Sequence, residues 1–356
     1  MRHANTSAGQ PRRTTIRAAA LTPIYDYLVA SPIDESALLA QQGLRVADLA
    51  DPYSVVALSQ YVALFEAAAA ALDDASLGLR IGMKVRPADM GPMGVLFSLS
   101  PTLRIGMQRL AAYVMALQGG TQSSLFEAED ELVWTYRPSD PALWPRRQDA
   151  EYTLAAVCQL IRSSFASDWR PVEVHFEHGE EADPALLQRF FRAPVLYRQP
   201  CNRLILRRSD ALRVYRAEDK GLVTILEHHI GDLIRQSTAS LSVTENVRNM
   251  IGAFLGKKPI TVATLAAELH MSPRSFQRHL AESGTSLRAL LREHREALAV
   301  THLGETGAQV GQVANALGYA DGTVFWRAYR SWTGQEPSAL RKRGTERNPS
   351  DAGPEE

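Results

Sequence analysis

Cysteine is scarce: Cys158 and Cys201 are the only two in 356 residues, and no second cluster of ligand-type residues accompanies either. A disulfide framework and a cysteine-built zinc site are both excluded on that count. No run of about 18 apolar residues is present, and the N-terminal MRHANTSAGQPRRTT has no apolar stretch of the signal-peptide kind. A protein that stays in the cytoplasm, with no membrane contact, is the expectation. Also missing are GxSxG, HExxH, a paired-carboxylate motif, and the glycine-rich phosphate cradles GxGxxG and GxxxxGK[ST]. Enzyme function, a cofactor and a bound metal are therefore not expected. Net charge is missing too, 39 basic residues being matched by 39 acidic ones. Resolved by region, the balance breaks: Leu241 to Arg343 holds 13 Lys/Arg and 8 Asp/Glu, a net of +5. That asymmetry favours the C-terminal part as a nucleic-acid contact.

What is present is clearest from Val310 to Pro337, VGQVANALGYADGTVFWRAYRSWTGQEP. Val310, Val313, Ala314 and Leu317 recur at helical spacing, and Gly318 stops that helix. Asp321 can cap a second helix whose Val324, Phe325, Ala328, Tyr329 and Trp332 are expected inside, with Gly334 and Pro337 as the end. Gly322, Thr323, Trp326, Arg327 and Arg330 fall on the outward side, as on a helix that lies in a DNA major groove. A second copy lies upstream in LAAELHMSPRSFQRHL. Leu265, Ala266 and Leu269 match Val313, Ala314 and Leu317 at an offset of 48, and Ser272, Phe276 and Arg278 match Asp321, Phe325 and Arg327 at an offset of 49. Ser272 as N-cap and Pro273 at the first helical position fix the start of its second helix. Leu287, Leu290, Leu291, Arg295, Leu298 and Leu303 give the helix that joins the two copies one apolar face.

Two helix-turn-helix units joined by one long helix, ending in GYADGTVFWRAYRSWTGQEPSALR, closely resemble the DNA-binding domain of the AraC/XylS family of bacterial transcription regulators. The matching positions include Ser272, Phe276, Arg278, Leu280, Gly284, Arg295, Ala299, Ala314, Gly318, Tyr319, Phe325, Arg327, Trp332, Gly334, Pro337 and Arg341. DNA-repair methyl-acceptor proteins carry the same double unit, but with a four-cysteine zinc cluster that two distant cysteines cannot build.

The first half reads as mostly helical from Leu21 to Leu117, with helices at Pro23–Ala30, Ile33–Gln41, Ser54–Leu72 and Leu103–Leu117. The Gly- and Pro-rich LGLRIGMKVRPADMGPMGVLFSLSPTL between them reads as helix ends and a loop. Strands follow at Gln122–Glu127, Glu131–Arg137, Val172–Glu177, Val195–Tyr197 and Arg203–Leu206, with helices at Asp149–Phe165, Pro184–Phe191 and Glu218–Arg235. That order suggests an α+β domain rather than a doubly wound one. Gly43-Leu44, Asp51-Pro52, LGLRIG, GPMG, SPTL, PVEVHFEHGEEAD and NRLILRRSDAL resemble the N-terminal effector domain found in part of the same family and called arabinose-binding-like. The resemblance implies effector binding and dimerisation and does not single out arabinose.

The expected organisation is a disordered leader (1–17), an α+β effector and dimerisation domain (18–235), a linker (236–244), an all-α DNA-binding domain (245–343) and a disordered tail (344–356). The helix-turn-helix units cover about 261–283 and 309–333. Candidate DNA contacts are Arg274, Ser275, Gln277 and Arg278 in the first unit and Thr323, Trp326, Arg327 and Arg330 in the second. Arginine can pair with guanine and glutamine with adenine through two hydrogen bonds each. For Arg278 a fold-supporting or phosphate role stands beside base contact. Trp326 can pack on a thymine methyl or on the sugar-phosphate backbone. Gly322 offers no side chain, so the first unit is expected to carry the larger share of base reading.

Trp134, Tyr136 and Phe176 are candidate lining of an effector pocket, against the alternative that they form the core between sheet and helices. His175, Glu177 and His178 invite a metal reading, but strand alternation separates the two histidines from one another and no third ligand completes a site. His228 and His229 are assigned a structural or interface role beside a buried side made of Ile225, Leu226 and Ile230. The combined reading is a sequence-specific transcription regulator, an activator by the commoner family behaviour, controlled by a small-molecule effector. Double-stranded DNA, RNA polymerase and a second copy of the chain are the expected partners, with nucleoid association when DNA is bound. A ligand-independent regulator gated by a protein partner is the other reading.

Overall fold

In the computed structural model the described residues are 14–128, 130–138, 143, 146–180, 183–237, 243–255, 259–304, 311, 313–314, 317–319 and 321–333. The first thirteen residues, part of the expected linker, Gly334, Pro337, Arg341 and the tail lie outside them. The chain forms two compact units, each built from separate segments. The first comprises Met1–Thr121, Pro138–Ser167 and Val214–Ser237, and the second Gln122–Arg137, Asp168–Arg213 and Thr238–Glu356.

The first unit is mainly helical: α1 (Thr22–Val29), α2 (Glu35–Gln41), α3 (Leu58–Ala71), α4 (Leu77–Gly82), α5 (Gly91–Ser98), α6 (Leu103–Leu117), α7 (Arg147–Ser164) and, after the second unit's sheet in the chain, α10 (Lys220–Ser237). Two expectations are corrected here. The chain from Thr15 to Arg17 is not a disordered leader but a strand, β1, paired antiparallel with β2 (Val55–Ala57). Ile16 is buried, and Arg17, also buried, donates to the carbonyls of Ala116 (2.6 Å), Tyr53 (3.0 Å) and Leu233 (2.9 Å). Three carbonyl partners offset the cost of taking the guanidinium out of water, so polar composition misleads at this position. β2 likewise replaces the first turn of the helix expected from Ser54.

The glycine-rich segment is corrected as well: LGLRIG is α4 and GPMGVLFS is α5. Glycine serves close approach there. The Gly78 N–H donates to the Gln148 Oε1 at 2.7 Å, and a Cβ at Gly78 would strike the Gln148 carbonyl oxygen. That lets α4 lie directly on α7. Helix α10 is seated on α5 and α6 through Leu96, Ala116, Val223, Ile230 and Leu233. Its Arg109 partners, Glu218 (2.8 Å) before the helix and Glu227 (3.4 Å) within it, add ion pairs. Ile225, expected on the buried side of α10, is 67% exposed.

The second unit opens with a five-stranded sheet of order β3-β4-β7-β5-β6. Its strands are β3 (Thr121–Ala128), β4 (Glu131–Pro138), β5 (Glu173–His175), β6 (Val195–Leu196) and β7 (Asn202–Arg207). β4–β7 and β7–β5 are antiparallel, and β5–β6 is parallel. Helices α8 (Pro184–Phe191) and α9 (Arg208–Leu212) sit within this region. Among the described residues, the C-terminal region includes α11 (Val243–Phe254), α12 (Val262–Glu268), α13 (Pro273–Glu282), α14 (Leu287–Gly304) and α15 (Gly322–Thr333).

The sheet packs on the first of the helical cores. Phe126 of β3 meets Phe254 edge-on at 4.6 Å between ring centroids. Arg203 of β7 donates to the Leu255 carbonyl at 2.8 Å, and Arg137 of β4 approaches the His294 ring of α14 at 3.1 Å.

Candidate nucleic-acid interface and effector cavities

Helices α12 and α13 are joined by a tight turn in which His270 takes a left-handed conformation, φ 51°. Ser272 caps α13 by accepting from the Ser275 N–H at 3.1 Å, and Thr261 caps α12 from the Thr264 N–H at 3.1 Å. Phe276 and Leu280 are buried against Val247, Ile251, Phe254 and Leu265. Anchoring these two residues leaves the opposite side of α13 in water. Arg274, Gln277 and Arg278 are exposed there, and Ser275 is half-buried. Arg278 Nε lies 3.6 Å from Glu282 Oε1 one turn on, an exposed pair of little energetic weight.

The second unit repeats the plan. Gly311, Val313 and Ala314 are helical, Gly318 is left-handed at φ 75°, and Asp321 Oδ1 accepts from the N–H groups of Thr323 (2.8 Å) and Val324 (2.9 Å) to cap α15. Phe325 and Tyr329 are buried with Leu298, Ala299, Leu303, Val313 and Leu317. Thr323, Arg327 and Arg330 are exposed, and Trp326 is half-buried with the Arg330 guanidinium 5.3 Å from its ring centroid. Val324 corrects the expected pattern. It is 44% exposed, on the same side as Arg327 three residues on, rather than inside.

One helix serves both cores. α14 gives Leu290 to the first and Leu298, Ala299 and Leu303 to the second. Arg295 on the same helix donates to the Leu317 carbonyl at 3.1 Å and stacks 4.6 Å from the Tyr319 ring centroid. Burial holds the Tyr319 phenol above its ordinary pKa, with Arg295 opposing the shift. The side chain matched to the family at position 295 thus ties α14 to the turn before α15.

Of the two readings of Trp134, Tyr136 and Phe176, interior packing is the one observed. Trp134 and Tyr136 are each 1% exposed and stacked on one another, and Trp134 Nε1 donates to Ser123 Oγ at 3.0 Å. Phe176 is fully buried among His178, Phe191 and Tyr197. The His175–His178 cluster is buried as well. His175 Nε2 is 2.9 Å from Glu173 Oε2, His178 Nδ1 is 2.8 Å from the Gly179 carbonyl, and Glu177 pairs with Arg137 at 2.8 Å. Among the described residues no group of three His, Cys, Asp or Glu could hold a metal ion, and no helix is long and apolar enough to cross a membrane.

Two cavities open in the first unit instead. A polar one of about 500 Å³ is bordered by Asp26, Tyr27, Lys84, Arg86 and Asp89. A more apolar one of about 290 Å³ is bordered by Arg17, Tyr53, Asp89, Met93, Ile230 and Leu233, among others. Nothing in the sequence marked this second place, because its wall comes from β1, α5, α6 and α10, far apart along the chain. Burial pulls the Arg17 guanidinium below its ordinary pKa, and Tyr53 and Asp51 oppose the shift.

The family model described as the arabinose-binding domain of AraC transcription regulator, N-terminal, matches residues 33–214, just over half of the chain. A second, described as a helix-turn-helix domain, matches residues 265–343. The chain belongs to the AraC family of transcription regulators. It is a DNA-binding regulator, not an enzyme, with an α/β N-terminal part and a helical helix-turn-helix part. Relatives extend across nearly the whole AraC-type chain. An uncharacterized HTH-type transcriptional regulator of Mycobacterium tuberculosis is 28% identical over 312 residues, covering 86% of this chain and 90% of its own. The ornithine utilization regulator of Pseudomonas aeruginosa is 24% identical over 319 residues, covering 90% and 94%. The crystal structure of the transcriptional regulator CdpR from P. aeruginosa aligns at 18% identity with a TM-score of 0.42, covering 89% of this chain and 98% of its own.

Proposed function

We propose that this AraC-family regulator reads DNA with the exposed sides of α13 and α15 and is controlled by a small-molecule effector bound in its N-terminal part. The observation that carries the DNA reading is the repetition itself. At matched positions each unit buries a phenylalanine, caps the following helix and turns Arg278 or Arg327 outward. On α13, Arg274 and Arg278 are assigned to guanine, Gln277 to adenine and Ser275 to a phosphate or base edge. On α15, Thr323 and Arg327 reach base edges, Val324 packs on a thymine methyl, and Trp326 stacked with Arg330 lies against the backbone.

Helix α14, with 18 residues, is about 27 Å long at the ordinary helical rise. A spacer of that order suits two recognition helices in successive major grooves, about 34 Å apart on one face of DNA. A monomer then covers an asymmetric half-site, and a homodimer covers a direct or inverted repeat. Leu222 and Ile225, exposed one turn apart on α10, support a second copy as partner. Transcription activation through RNA polymerase, in the cytoplasm at the nucleoid, completes the reading. The effector and dimerisation role is assigned to residues 18–235, extended back to Thr15 by β1.

Selection of sites from a random DNA pool with the full-length protein, followed by footprinting, tests the DNA half of this reading. Protection of two successive grooves per monomer is expected, and protection of one groove defeats the two-helix assignment. Thermal unfolding of the full-length protein across a metabolite panel tests the effector half. A ligand of the native state must raise Tm, and silence across the panel favours gating by a protein partner.

A further inference from the structure

We propose that the apolar cavity between β1, α5 and α10 is the effector site, and that it takes a small amphipathic carboxylate: an organic anion with a compact hydrocarbon or aryl body. The inference rests on the reading that the N-terminal part binds an effector, and it adds the place and the chemical class.

Size and wall come first. At about 290 Å³ the cavity is at the lower end of the usual range for ligand pockets, about 300–1,000 Å³. It suits a molecule well below drug size. Met90, Met93, Leu117, Ile230 and Leu233 contribute apolar side chains to the wall, and methionine adapts readily to irregular ligand shapes.

Charge then selects the class. Two ionised side chains border the cavity. Asp89 is already neutralised, since Arg86 Nη2 donates to Oδ1 at 2.8 Å while the Arg86 backbone N–H and Nε donate to Oδ2 at 2.8 and 3.2 Å. Arg17 is 7% exposed and, among the described residues, forms no ion pair; its partners are the three carbonyls of Ala116, Tyr53 and Leu233. Asp51 acts on it only through space, its carboxylate held by the Tyr53 N–H and Ser54 hydroxyl. A guanidinium carries five N–H groups, and three carbonyls leave two unused. Buried charges are ordinarily paired, so a carboxylate at the cavity wall supplies the missing counter-ion, whereas an ammonium would meet uncompensated positive charge. The larger, polar cavity has no such imbalance, because its Arg86 and Asp89 are paired and Lys84 lies over the Tyr27 ring at 5.4 Å.

The same geometry links occupancy to the end of α10. Leu233 both borders the cavity and accepts from Arg17 through its carbonyl, one turn before α10 ends at Ser237. The chain next enters α11 at Val243, the first helix of the DNA-binding region. A ligand on Arg17 therefore bears on the last turn of the helix that leads there.

The test is thermal unfolding and calorimetric titration of full-length protein with octanoate and phenylacetate, against octylamine and octanol as charge controls. At a hundredfold excess over Kd, a bound carboxylate is expected to raise Tm by several degrees, on the order of 5 °C. The amine and the alcohol are expected to give much smaller shifts. Ala88 borders the cavity and is exposed, so Ala88→Phe fills the mouth without replacing a core residue. It should leave the unliganded Tm in place and abolish the carboxylate shift. Arg17→Gln should abolish it too, and should that variant not fold, Ala88→Phe still decides. Equal shifts from acid and amine overturn the chemical class, as does silence from both straight-chain and aryl carboxylates. A carboxylate shift that survives Ala88→Phe overturns the place. Should another metabolite stabilise the protein equally in wild type and Ala88→Phe, the effector reading stands and this cavity is wrong. If nothing stabilises it, both fall.

Discussion

The two helix-turn-helix units share a core and differ in their exposed sides. Phe276 and Phe325 occupy matched positions and both are fully buried, each on a capped helix. Outside, α13 presents two arginines and a glutamine, whereas α15 presents Thr323, Val324, Arg327 and a tryptophan partly occupied by Arg330. The core requirement is the same for both because each unit must bury one helix on the shared α14. The exposed sides are free to diverge because the shared core does not constrain them. Base discrimination should therefore be unequal between units whose stability is similar.

The largest expected effect erases the shared part. Phe276→Ala or Phe325→Ala should each cost about 3–5 kcal/mol of stability, read by denaturant unfolding of the full chain. If the units are equivalent in their cores, the two losses agree; a loss at Phe325 below half that at Phe276 would break the equivalence. Next come the residues proposed to face bases. Arg274→Ala, Gln277→Ala and Arg278→Ala should each lower affinity for a selected site by about 1–3 kcal/mol and relax specificity at one base position. Thr323→Ala and Arg327→Ala should cost less, and equal losses would remove the proposed asymmetry.

The turns give a third contrast. His270 and Gly318 stand at matched positions, offset by 48, and both are left-handed. Glycine adopts that conformation freely, while a side chain there costs on the order of 1 kcal/mol. Gly318→Ala should therefore destabilise by about 1 kcal/mol, and His270→Gly should stabilise by up to a similar amount, both measured as shifts in unfolding midpoint. The smallest effect belongs to Arg330. Arg330→Ala should weaken binding evenly across DNA sequences and reduce the slope of affinity against salt by about 1. A loss confined to the selected site would move Arg330 from the backbone to a base.

The helical repeat is readable from sequence because buried positions and cap residues agree at Phe276 with Ser272 and at Phe325 with Asp321. α8, from Pro184 to Phe191, was readable to the residue for the same reason, with Asp183 accepting from the Leu186 N–H. Where reading failed, composition and packing pulled apart. Glycines in LGLRIG suggested a loop, but Gly78 is small because Gln148 of α7 passes next to it. Arg17 looked solvated, but three carbonyls distant in sequence surround it. Trp134, Tyr136 and Phe176 were readable as an aromatic group on strands, yet only packing shows them stacked in the interior. Val324 is apolar, yet it stands next to the buried Phe325 and is itself exposed. A cavity assembled from β1, α5, α6 and α10 leaves no local pattern at all.

Phe126 has a practical bearing on how this regulator is handled in pieces. It belongs to the stretch matched by the N-terminal family model, yet its ring is packed on the core beneath α13. A fragment that starts just before α11 keeps the described C-terminal helices but strips the cover from Phe254. Such a fragment would expose an oily spot at its cut face and tend to self-associate there. Dimers seen with it would then report the scissors rather than the native assembly, and its DNA affinity would describe a reader released from the sheet.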